Sequence, residues 1–98
     1  MGEPQQIIQT LLRRTNLLMA GKRIAITADV PGLAERLQRM GAHPGAALAE
    51  ADIVIGATDP ALLRPGTILA VPYPQKTGVR LREGVTELDG VYVVDLSC

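Results

Sequence analysis

The sequence predicts an α/β domain, and three observations carry that prediction. Short apolar runs of strand length alternate with segments of helical period over the first three-quarters of the chain. The tail instead shows two-residue alternation around Asp89-Gly90, the mark of an antiparallel hairpin. Ninety-eight residues, 47% of them hydrophobic and 20% charged, suffice for one compact domain and for no more.

Residues 4–19, PQQIIQTLLRRTNLLM, place Ile7, Ile8, Leu11, Leu12, Thr15, Leu18 and Met19 on one side of a helix. Gln5, Gln6, Gln9, Arg13 and Asn16 fall on the other. Pro4 suits the first turn and Gly21 a stop, so the expected helix spans about 4–19. Ile24, Ala25 and Ile26 then form a run short enough for a buried strand. Residues 31–40 return to helical spacing, with Leu33, Leu37 and Met40 at intervals of four and three, and Gly41 closes the helix.

His43 precedes Pro44 and is expected in a turn, and Ala46 to Ala51 have room for barely two helical turns. A second strand is expected in DIVIGAT, and a third in TILAVPY, ended by Pro72 and Pro74. Between them, Asp59 and Pro60 form an N-cap and first-turn pair for a single turn. In the tail, about 79–96, Val79-Arg80-Leu81-Arg82 alternates, which predicts Arg80 and Arg82 on one face of a strand. The expected whole is a small three-layer Rossmann-like domain, residues 1–98, with a short parallel sheet and a C-terminal β-hairpin.

Composition removes several functions. Ten Lys plus Arg balance ten Asp plus Glu, so there is no basic excess for a nucleic acid. Two tyrosines, with no Phe or Trp, leave almost nothing for bases to stack on. No apolar run reaches the roughly 18 residues of a membrane span, and the MGEPQQ start lacks a charged leader or a myristoylation serine. The one cysteine, Cys98, has no internal partner for a disulfide, which points to the cytoplasm. With His43 the one histidine, neither a metal site nor a Ser-His-Asp triad can be assembled in the usual way.

A strand leading into a helix is where a dinucleotide-binding domain carries its glycine-rich loop. Here the loop reads Ala28-Asp29-Val30-Pro31-Gly32, with one glycine. Pro31 removes an amide donor, Val30 adds bulk, and Asp29 sets a carboxylate where a phosphate would lie. Asp29 reads either as a helix cap or as an acid that orients a ligand. An acidic residue for ribose hydroxyls belongs about 20 residues past the loop. Glu50 and Asp52 stand near that count, but at a helix end and a strand start.

The run RRTNLLMAGKRIAIT, with RMGA and ADIVIGAT later, resembles the NAD-binding domain of the S-adenosylhomocysteine hydrolase family. Arg13, Thr15, Asn16, Ala20, Gly21 and Lys22 match its R-x-T-[DN]-x-x-x-A-G-K junction, and the likeness extends over about residues 5–72. The resemblance implies a Rossmann fold and NAD as cofactor. The departures imply loss of both chemistry and cofactor. The family's G-x-G-x-x-G loop keeps only Gly32, its A-T-G after the fourth strand is Ala57-Thr58-Asp59, and its asparagine near the nicotinamide is replaced by Val71-Pro72-Tyr73.

No catalytic constellation is visible. The residues expected at a ligand-facing sheet edge are Thr27, Ala28, Asp29, Gly32, Thr58 and Asp59. The function expected is a non-catalytic interaction or regulatory module that senses a small ligand or pairs with a protein partner, first of all a second copy as a homodimer. The alternative is a protein that binds NAD or an adenosine compound, or a small oxidoreductase subunit completed by a partner chain. Tyr73, between two prolines, is expected to fill a pocket or cover a sheet edge, packing rather than recognising a ligand.

Overall fold

The computed structural model describes residues 3–97. Helix α1, Pro4–Thr15, precedes β1, Arg23–Ile26, and α2, Leu33–Arg39. Then follow β2 (His43–Pro44), β3 (Ile53–Ile55), β4 (Ile68–Val71), β5 (Val79–Arg82), β6 (Val85–Leu88) and β7 (Val91–Asp95). Single 3-10 turns at Leu48–Glu50 and Pro60–Leu62 lead into β3 and β4. The strands form one mixed sheet in the order β2-β1-β3-β4-β7-β6-β5. The first five of that order run parallel, and β7-β6-β5 is antiparallel. The α/β prediction, with a parallel sheet and an antiparallel tail, describes this molecule.

Both α-helices lie on one face of the sheet. Ile7, Ile8 and Leu11 of α1 and Leu33 and Leu37 of α2 pack with Ile24, Ile53, Ile55, Ala70 and Val94. The opposite face is covered without a full helix: Ala25, Val54, Leu69, Val71, Val91 and Val93 meet Leu63, Ala51, Ala46 and Leu48 from the two 3-10 segments and their flanks. The third layer is therefore thin, one turn deep. Its side chains are all aliphatic.

Three local expectations are corrected. α1 ends at Thr15, not at residue 19, because Asn16 takes the left-handed conformation (φ 54) and its N–H caps the Leu12 carbonyl. The apolar period continues past that point since Met19 is buried in the same core, while Leu18 is 79% exposed. His43 is not a turn residue: with Pro44 it forms a two-residue strand paired to Arg23 and Ile24. Arg80 and Arg82 do not share a face. Arg80 pairs with Thr86 and Arg82 with Val85, so a bulge at Leu81 sends the two side chains to opposite faces of the sheet.

Asp89 and Gly90 both adopt positive φ, 53 and 81, and link β6 to β7 as a two-residue turn. No helix among the described residues is long and apolar enough to cross a membrane. Gly2 and Cys98 lie outside the described residues.

Candidate functional site at the carboxyl edge of the sheet

In an open parallel sheet, ligands bind beyond the carboxyl ends of the strands, where the chain switches direction across the sheet. Here that point lies between β1 and β3, because the chain leaves β1 toward β2 on one side and returns to β3 on the other. All six expected residues stand there: Thr27, Ala28, Asp29 and Gly32 follow β1, and Thr58 and Asp59 follow β3.

The two loops are in contact across the switch point. The Thr27 amide donates to the Ile55 carbonyl at 2.9 Å, which carries the β1–β3 ladder one step past the strands. The Thr27 hydroxyl donates to the Ala57 carbonyl at 3.2 Å. Gly56 allows this approach. Its φ is +122, and a Cβ there would meet Thr27 Oγ1 and come within 2.7 Å of the Ala28 nitrogen. The two loops are thus tied to each other by an exposed hydrogen bond at the edge where a pyrophosphate would approach.

Asp29 is exposed and does not cap α2. The N-cap is Gly32, left-handed at φ 84, with no side-chain bond to the helix. Asp59 does cap: its Oδ1 accepts from the Ala61 amide at 3.0 Å and holds the turn at Pro60–Leu62. Thr58 is half-buried beside it, and Tyr73 stands 44% exposed beyond β4. Residues 27–36 and 56–62 contain Asp29, Glu35 and Asp59 and one cation, Arg36, which donates to Gln5 Oε1 at 3.0 Å. The exposed carboxylates of this edge disfavour a phosphate there.

Asp52, the other acid considered for a ribose, sits at the opposite edge. Its Oδ2 accepts the Arg23 amide at 2.8 Å and its Oδ1 the Arg64 Nη2 at 3.0 Å. The Arg23 amide bond, with help from the Arg64 and Arg23 guanidiniums, holds the Asp52 carboxyl below the usual carboxylate range, against a smaller opposing effect of burial. Arg64 also donates to the Ala51 carbonyl at 3.2 Å, so Asp52 fastens the starts of β1 and β3 to the loop before β4. Glu50 is exposed in its 3-10 turn.

A cleft of about 490 Å³, lined in part by Lys22, Asp52, Arg64 and Thr67, opens at this amino edge. None of the six expected residues touches it. Among the described residues, no cluster of His, Cys, Asp and Glu could hold a metal ion.

Sequence reasoning placed the six residues at one edge but missed the contact between the two loops. Its one available signal was Gly56, the glycine directly after the β3 run. No family model matches this chain, and no curated protein matches it either.

Proposed function

We propose that this chain is a non-catalytic Rossmann-like interaction module, a reduced relative of the NAD-binding domain of S-adenosylhomocysteine hydrolases acting in the cytoplasm. One observation carries the reading: Thr27 and Gly56 bring the β1 and β3 loops together where a dinucleotide would lie. The acidic character of that edge points the same way. The A-G-K junction, Ala20 to Lys22 directly before β1, supports the relationship. Exposed apolar side chains away from this edge, Leu18, Val79, Leu81 and Tyr92, support contact with another protein.

The reading is tested by calorimetric titration with NAD, S-adenosylhomocysteine and adenosine. No saturable heat up to millimolar ligand is expected. A micromolar dissociation constant, worth about 8 kcal/mol, would overturn it and make the chain a nucleotide-binding subunit.

A further inference from the structure

The sheet ends in an open strand. All four residues of β5 are exposed, with Val79 at 63% and Leu81 at 51%. As the last strand of the sheet, β5 has one side bonded to β6 and the other presenting unpaired N–H and C=O groups. The bulge at Leu81 gives each sheet face its own arginine at this edge. On the helix-bearing face, Arg82 and Leu81 rim an apolar groove of about 410 Å³ floored by Ile68, Val85 and Tyr92. On the other face, Arg80 lies with Thr86, Val93 and Asp95 around a polar pocket of about 170 Å³. Neither guanidinium has a hydrogen bond or ion pair among the described residues.

We propose that β5 is a docking edge for an extended acidic segment of a partner protein, added as an eighth strand. Successive side chains of such a strand point to opposite faces. One residue then packs beside Leu81 over the apolar groove while its neighbour meets Arg80 on the polar side. The segment that fits alternates large apolar and acidic residues, with its apolar side chains over the groove rimmed by Leu81 and Arg82 and its carboxylates on the Arg80 face.

Charge selects this occupant over a second copy. Residues 76–82 carry Lys76, Arg80 and Arg82 and no acid; Glu83 follows at the turn and Glu87 lies one strand inward. Two β5 strands paired with each other would bring two arginines to each face of the seam, and like charges across a strand pair are destabilising.

The proposal rests on the interaction-module reading, yet the two fail separately. Nucleotide binding in the titration above would sink that reading and leave the peptide result standing on its own. The experiment measures fluorescence anisotropy of a labelled eight-residue peptide alternating isoleucine and glutamate, beside one alternating isoleucine and lysine. The glutamate peptide should saturate below about 1 mM and the lysine peptide should bind at least about tenfold more weakly. Raising salt should weaken the glutamate peptide.

Arg80→Glu should cost the glutamate peptide about tenfold at an unchanged melting temperature, Arg80→Lys should retain most of the binding, and Arg82→Glu on the apolar face should cost less than Arg80→Glu. Equal binding of the two peptides, or binding of neither, overturns the proposal. So does a dimer in sedimentation that the glutamate peptide competes away, because that would give the edge to a second copy.

Discussion

Replacing Gly56 with alanine should break the contact that ties the β1 and β3 loops together, and the cost can be worked from two sources. The first is backbone strain: at φ +122 a residue with a side chain sits in a region essentially reserved for glycine, at about 1–3 kcal/mol. The second is overpacking, since the new methyl group would meet Thr27 Oγ1 and lie 2.7 Å from the Ala28 nitrogen. Both belong to a loop tied down by the Ile55 and Ala57 carbonyls, so relief requires backbone movement at about 1–3 kcal/mol. Together these come to about 2–6 kcal/mol, against a total stability of about 5–15 kcal/mol for a chain of this length.

The melting temperature should then fall by about 10–40 °C. Gly45 supplies the control. Its φ is +93 but nothing lies within 4 Å of a Cβ there, so Gly45→Ala bears the strain alone, about 1–2 kcal/mol. Urea unfolding followed by circular dichroism measures both variants. If Gly56→Ala loses no more than Gly45→Ala, the loops do not touch and the argument for tied loops collapses.

Asp52→Asn should lower stability at neutral pH by about 1 kcal/mol, a low-end value because the carboxylate is about one-third exposed. Its folded pKa lies below the unfolded one, so the stabilisation is complete above about pH 4 and fades as pH falls through the lower folded value. Urea midpoints from pH 7 down to pH 2 should show a shallower acid decline in Asp52→Asn than in the parent, and parallel declines would refute this. Asp59→Ala removes the acceptor for the Ala61 amide and should cost about 0.5–1 kcal/mol by the same assay; no loss would mean the cap is idle.

Legibility in the sequence followed the range of the interactions involved. Asp89-Gly90 and Asp59-Pro60 were read correctly because each is a contact within a few residues, set by the φ tolerance of the types present. The strands at Ile24–Ile26, Ile53–Ile55 and Ile68–Val71 were visible because a buried parallel strand must be apolar on both faces. The end of α1 was not, because Leu17 and Met19 bury against the same core from a non-helical segment and so prolong the apolar pattern past Asn16. The candidate site was legible as an address, since carboxyl-edge loops follow strands by definition, but its state was not.

What the sequence alone determined is the class of the fold, the aliphatic core, the turn chemistry and the absence of a glycine-rich phosphate loop. These depend on the composition and spacing of neighbouring residues, which a linear string displays. The tertiary structure decided that Thr27 reaches Ala57 thirty residues away, that Asp52 fastens the amino edge and stands away from the carboxyl edge, and that Arg80 and Arg82 part to opposite faces. Each of these depends on register between strands. A shift of one residue in a ladder turns every side chain over, and that register is set only when the whole core packs.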